Sequence, residues 1–324
     1  MCHPDAVSAS ESSPPVCVLG LGLIGGSLLR AAAAAGRQAF GYNRSNESAD
    51  AARTDGYDAD TDLTAVLNRA RDTGAIIVVA VPMPAVEATL TKIAEHAPGN
   101  PITDVVSVKG EVRDAVARAG LSSRFVGGHP MTGTSASGWS VGEASLFTDA
   151  VWVVATDDGV DAAVWSQVTR LALDCGSVVV PAESSEHDRA VARISHLPHL
   201  LAETLAITGA AGGDLALGLA AGSFRDGTRV AGSAPALVRA MCEGNRDALL
   251  DSLDEALRLL QDARTDLFEN SSTATLVDAG HAARRAYDNH QRWDITDVSV
   301  GADGWIERMR DAGRRGGVIR NPEL

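Results

Sequence analysis

Short apolar runs recur along the first half of the chain, separated by longer stretches in which apolar positions return every three or four residues. The runs fall at 16–19, 39–42, 75–81, 125–127, 151–155 and 177–180, and they are rich in Val, Ile, Phe and Trp. Nearly continuous apolar strands alternating with helices predict a mostly parallel sheet covered on both faces. After about Pro181 these runs stop, and Ala- and Leu-rich helical periodicity continues through Tyr287. Ala190, Ile194, Leu197, Leu201 and Leu205 lie on one helical face, with Pro198 marking a kink or a helix start. The pattern therefore predicts a disordered tail over 1–15, an α/β domain over 16–182, an all-helical domain over 183–300, and an irregular Gly- and Arg-rich tail over 301–324.

A chain of 324 residues is long enough for two domains, each with its own core. No apolar run approaches the roughly 20 residues of a membrane span, and the first residues lack the basic start and apolar stretch of a signal peptide. Cys2, Cys17, Cys175 and Cys242 show no CxxC spacing, which suits reduced thiols and a cytoplasmic protein. A formal charge of −14 speaks against nucleic acid as a partner. Any anionic ligand must be held by local Arg or Lys working against that field.

The first run leads directly into Gly20-Leu21-Gly22-Leu23-Ile24-Gly25-Gly26-Ser27 and then a helical stretch. Strand, GxGxxG and helix in that order form a dinucleotide-binding fingerprint: Gly20, Gly22 and Gly25 permit the tight turn and the close approach of a pyrophosphate to the helix N-terminus. This makes the α/β part a Rossmann-type domain, with Leu23 and Ile24 beside the nucleotide. The second run ends in Asn43, Arg44 and Ser45, with no acidic residue for the ribose hydroxyls. Arg44 and Ser45 suit a 2′-phosphate, so the cofactor reads as NAD(P)+ with a lean toward NADP+. Pro82, just past the 75–81 run, completes the expected nucleotide contacts.

A dinucleotide site implies hydride transfer, and four further clusters carry candidate chemistry: Asp104-Val105-Val106-Ser107-Val108-Lys109-Gly110, the loop "GGHPMTGTSASGW" at 127–139, His187-Asp188 followed by Ser195-His196-Leu197-Pro198-His199, and "GSFRDGTRVA" at 222–231. An imidazole at His129 among glycines and hydroxyls suits a base near neutrality. Ser107 also fits a helix N-cap, and Lys109 fits a helix-start or surface residue. His196 and His199 share a helix face, but His187 lies about half a turn round at ~100° per residue. No Cys or carboxylate completes a zinc set beside them, so no metal is expected.

Taken in order, GLGLIGGS, DVVSVKG, GGHPMTGT, HD with SHLPH, and GSFRDGTRVA resemble the prephenate and arogenate dehydrogenases of tyrosine biosynthesis, over roughly residues 16–250. The resemblance implies an α/β Rossmann-type N-terminal domain plus an all-α C-terminal dimerisation domain, with the active site between them. It implies oxidative decarboxylation of prephenate to 4-hydroxyphenylpyruvate and CO₂, with arogenate as the alternative substrate. His129 takes the proton of the ring hydroxyl, and Ser107 orients His129 close to the nicotinamide. Arg229 grips the side-chain carboxylate, and His199, Thr134, Ser135 and Gly222 line the substrate. His196 is expected to pack or hydrogen-bond, and His187-Asp188 to tie the domains together.

Two departures matter. Ser135 and Ala136 stand where many relatives carry Asp or Glu, which removes an electrostatic preference for the amino group of arogenate and leans toward prephenate. Val238 stands where relatives often carry Trp, so no aromatic lid is expected from that segment. A β-hydroxyacid dehydrogenase would need a lysine in the helical half, yet no Lys follows Lys109. A nucleotide sensor without catalysis would not need His129, Ser107 and Arg229 together.

Overall fold

The computed structural model describes residues 13–133 and 136–321. Six parallel strands form the main sheet: β1 (Val16–Leu19), β2 (Ala39–Tyr42), β3 (Asp58–Asp60), β4 (Ile76–Val79), β5 (Ile102–Asp104) and β6 (Phe125–Val126). Their order is β3-β2-β1-β4-β5-β6, the doubly wound Rossmann arrangement. All residues of β1 and β4 are fully buried, as expected of central strands covered by helices on both faces. The order reverses between β1 and β4, and a ligand crevice opens past the strand carboxyl ends at such a switch point.

A second sheet follows, made of β7 (Gly128–Pro130), β8 (Val151–Ala155) and β9 (Val178–Ala182), with β7 antiparallel and β9 parallel to β8. The segment at 127–139 thus opens as a strand rather than a loop, and His129 sits on β7 opposite Val153. A glycine, a histidine and a proline give β7 no apolar run to betray it. The strand forms because β8 supplies the ladder and because Gly128 packs where a Cβ would stand 2.6 Å from the Asp104 carbonyl oxygen.

Past β9 come the helix Ser184–Val191, a π-helical turn at Ala192–His196 and the helix Leu197–Ala210, with Pro198 in the first turn of the last. The proline therefore marks a helix start after a widened turn. Helices Pro235–Gly244, Arg246–Asn270 and Ala274–Asp288 complete most of the helical half. That half leaves large apolar side chains exposed, among them Ile207 at 70%, Leu215 at 76% and Phe268 at 84%.

Both expected tails need correction. Residues 1–12 lie outside the described residues, but Pro14 and Pro15 are docked: their carbonyls accept from Arg37 Nη2 and Ile76 N, each at 2.8 Å. At the other end, residues 301–324 contain the helix Trp305–Arg314 and β11 (Gly317–Val318), which pairs with β10 (Trp293–Asp294). Trp305, Met309 and Ala312, at helical spacing, are buried, and Trp305 meets Trp165 edge-on at 5.3 Å. Ile319 exchanges backbone hydrogen bonds with Val179 on β9. The Gly and Arg content that suggested an irregular tail has structural uses here. Gly313 lies where a Cβ would fall 2.0 Å from the Pro181 carbonyl oxygen, and Arg310 donates to the Thr156 carbonyl at 2.7 Å. The chain thus returns to the α/β domain after its helical half. Among the described residues no helix is long and apolar enough to cross a membrane.

Candidate active site

The nucleotide side is built by four strand ends. Gly20 leaves β1 at φ +105°, and a Cβ there would meet the Ala80 carbonyl oxygen at 2.5 Å. Gly25 faces Gly20 so closely that a Cβ would fall 1.9 Å from its carbonyl oxygen, which brings the helix Leu23–Ala34 down onto the strand. Among the described residues, no atom lies within 4 Å of where a Cβ would stand on Gly22, the N-cap of that helix, and no side chain caps the first turn. Leu23 and Ile24 open the helix. Bare backbone amides beside open space fit a pyrophosphate.

At the end of β2, Asn43 Oδ1 accepts from Ser45 N at 3.5 Å, and Ser45 Oγ accepts from Ser48 N at 3.3 Å, capping the helix Asn46–Thr54. Arg44 between them is exposed. Pro82, also exposed, follows β4 and precedes the turn Met83–Ala85.

Past β5 lies a buried ionic cluster. The Lys109 ammonium contacts the Asp104 carboxylate and donates to the Gly128 carbonyl at 2.6 Å, while Asp104 accepts from Gly128 N at 3.1 Å and Val106 N at 3.0 Å. Both side chains are essentially unexposed. Burial pushes the Asp104 carboxyl up and the Lys109 ammonium down, and their mutual contact opposes both shifts. Lys109 does begin a helix, Lys109–Arg118, but it is not a surface residue.

His129, adjoining Gly128, points Nδ1 at His187 Nε2, 2.8 Å away; His187 Nδ1 in turn lies 2.8 Å from Asp188 Oδ1. Asp188 also accepts from Lys109 N at 2.9 Å and Gly110 N at 2.8 Å. Burial, with smaller effects from His187, Lys109 and His196, holds the His129 pKa well below the usual imidazole value. Fully buried His196 approaches Asn245 Nδ2 at 3.1 Å through Nδ1, and that amide donates to the Asp188 carbonyl at 2.7 Å. Burial pushes the His196 pKa down to about 4. His199 is lowered by burial and then, against the pull of Glu203, by Arg229, so these two ligand candidates stand together. An electrostatically linked row thus runs from His129 through His187, His196 and His199 to Arg229. It joins the sheet edge to the helical half.

The comparisons with known proteins match both parts of this construction. The prephenate dehydrogenase nucleotide-binding domain matches residues 27–181, and the prephenate dehydrogenase dimerization domain matches residues 183–279. The chain belongs to the prephenate dehydrogenase family. It is 34% identical to the Bacillus subtilis prephenate dehydrogenase over 268 residues, covering 79% of this chain and 71% of that protein. A solved structure from Corynebacterium glutamicum, assigned to the prephenate dehydrogenases, is 48% identical with a TM-score of 0.92, covering 95% of this chain and 99% of that one. Synechocystis arogenate dehydrogenase is 31% identical with a TM-score of 0.72, covering 84% and 99%.

Within this prephenate dehydrogenase family member, the expected residues divide. Gly20, Gly22, Leu23, Ile24, Gly25, Asn43, Arg44, Ser45, Pro82 and Ser107 all follow strand carboxyl ends of the main sheet. Ser107 is half-buried, Val108 rather than Ser107 is the helix N-cap, and the hydrogen bond to His129 Nδ1 is made by His187. Arg229 is exposed at the start of the turn Arg229–Gly232, and half-buried Gly222 opens the short helix Gly222–Thr228. Thr134 and Ser135 lie outside the described residues. Val238 is buried against Cys242 and Leu249, a packing position. Sequence reasoning missed His187 and Asp188 as partners of His129, and Asp104 and Lys109 as its anchor. An Asp ending an apolar strand with a Lys in the following helix start was the available signal for the anchor.

Proposed function

We propose that the chain oxidatively decarboxylates prephenate to 4-hydroxyphenylpyruvate and CO₂, with NADP+ favoured over NAD+. The observation that carries this reading is the His129 ring: it follows Gly128, whose amide donates to Asp104 at the carboxyl end of β5, and it has Nδ1 engaged by His187 and Nε2 free of any partner among the described residues. A bound nicotinamide would accept the hydride leaving the ring carbon that bears the hydroxyl. Gly22, with its open space, and the uncapped helix behind it fit the pyrophosphate of that nucleotide.

In this reading His129 Nε2 takes the hydroxyl proton, and Ser107 hydrogen-bonds on the same side. Arg229, as a bidentate donor, pairs with the side-chain carboxylate. His199 lies beside it, and Gly222, Thr134 and Ser135 line the rest of the pocket. Loss of CO₂ makes the ring aromatic, which drives the step. The absence of a carboxylate at Ser135 and Ala136 supports the keto acid, and exposed Arg44 supports a 2′-phosphate. The apolar side chains left exposed on the helical half, together with the match to a dimerization domain, support a homodimer formed through that half.

The 31% identity to an arogenate dehydrogenase favours a second reading, in which the same residues oxidise arogenate to tyrosine. Initial rates of reduced-nucleotide formation, crossing prephenate and arogenate with NAD+ and NADP+, decide between them. Turnover of prephenate with NADP+ is expected. Turnover of arogenate alone would overturn the substrate, and a preference for NAD+ would overturn the role of Arg44.

A further inference from the structure

The partner of His129 determines which of its nitrogens can act as a base. Asp188 engages both carboxylate oxygens with backbone amides of the helix Lys109–Arg118: Oδ1 accepts from Lys109 N and Oδ2 from Gly110 N. Burial pulls the Asp188 carboxyl up, but His187 and the two amides together keep it below the usual carboxylate value, so it is ionised. An ionised carboxylate only accepts hydrogen bonds. The 2.8 Å contact from Asp188 Oδ1 to His187 Nδ1 therefore places a proton on that nitrogen. Neutral His187 then has a bare Nε2, and the 2.8 Å contact to His129 requires His129 to donate from Nδ1. His129 is left with its lone pair on Nε2.

We propose that His187 and Asp188 are positioning residues that hold His129 in the Nδ1-protonated form, so that Nε2 is the base. This rests on the reading of His129 as the proton acceptor of the proposed reaction. The pair also makes that form depend on domain docking. His129 and the two amides belong to the α/β domain, whereas His187 and Asp188 lie on the first helix of the other half. Asn245 extends the contact by donating to the Asp188 carbonyl at 2.7 Å. The charged and titratable groups around the relay are Lys109, Asp104, Asp188 and His196. Once Nε2 has taken a proton, the His129 cation faces the neutral His187 acceptor, and Asp188 balances the charge across it.

The test compares His187→Phe, His187→Gln and Asp188→Asn with the wild-type enzyme, measuring kcat, KM, the pH profile of kcat and nucleotide affinity. His187→Phe removes the acceptor and is expected to lower kcat by about 10²-fold or more with nucleotide affinity unchanged. His187→Gln can still accept through its amide oxygen and is expected to recover about tenfold of that loss. Asp188→Asn allows the wrong tautomer, a defect that costs about 10⁴-fold in serine proteases, and is expected to lower kcat by at least about 10²-fold. A folded His187→Phe enzyme that keeps kcat within about threefold and an unchanged pH profile would overturn the proposal.

Nitrogen-15 NMR of histidine-labelled wild-type protein gives the answer without any variant. Nδ1–H on both His129 and His187 at neutral pH supports the proposal, and Nε2–H on His129 defeats it. Were the wild-type enzyme to oxidise neither substrate, the reaction assignment would fail while the NMR result still judged the tautomer.

Discussion

Lys109 Nζ donates to the carbonyl oxygen of Gly128 at 2.6 Å while holding the Asp104 carboxylate. Because Asp104 accepts from Gly128 N, one buried ion pair grips both backbone groups of the residue next to His129. Removing one member of a buried pair strands the other charge, at a cost of about 3–5 kcal/mol. Lys109→Met is therefore expected to lower the free energy of urea unfolding by that amount. Replacing both residues with apolar ones should cost less than the sum of the single changes. A Lys109→Met protein within about 1 kcal/mol of wild type would mean that the pair contributes little.

Gly22 and Gly25 belong to the same motif but face different neighbours, so alanine should separate their roles. Gly25→Ala drives a methyl into the Gly20 carbonyl, 1.9 Å from an ideal Cβ, and should leave the domain poorly folded in a thermal melt. Gly22→Ala meets no atom of the described residues within 4 Å. It should cost no more than about 1 kcal/mol of stability, the usual range for an N-cap change. Nucleotide affinity should fall at least about tenfold, because the methyl occupies the place of the pyrophosphate. Unchanged nucleotide titration for Gly22→Ala would assign that space to something else.

His196 makes stability depend on pH in a definite direction. Burial pushes its pKa down to about 4 in the folded protein, against an ordinary value of 6.5, and its Nε2 has no partner among the described residues. Between those values the unfolded chain binds a proton that the folded chain refuses. Stability should therefore fall as pH drops from 6.5 toward 4 and be unaffected by this group above 6.5. The full effect is at most about 3 kcal/mol. Urea midpoints at neutral pH and near the lower limit should lie closer together in His196→Gln than in wild type. An equal separation in both would remove His196 as a cause.

The strands with unbroken apolar runs were legible because burial on both faces leaves no room for polar alternation. β3 was not, since only Ala59 of its Asp-Ala-Asp is buried. β7 was hidden by its Gly-His-Pro composition. The nucleotide motif was readable because its chemistry is local, whereas the partnership of His129 with His187 spans 58 residues and depends on how the two halves dock. Lys109 looked like a solvent-facing helix residue because nothing in its local pattern shows that Asp104 and Gly128 enclose it.

The C-terminal segment misled for a related reason: its arginines and glycines outnumber its apolar residues, yet the few apolar side chains share one face. Trp305 is 7% exposed and Met309 is fully buried, both within the core of the α/β domain. Truncating a buried aromatic costs about 3–5 kcal/mol, so Trp305→Ala should lower the urea midpoint markedly. The exposed Arg315–Asp311 pair on the same helical segment offers a control. Surface pairs contribute roughly 0–1 kcal/mol, and Arg315→Ala should leave the midpoint nearly unchanged. Identical unfolding of the Trp305 variant and wild type would mean that the segment adds nothing to the core, restoring the picture of a tail.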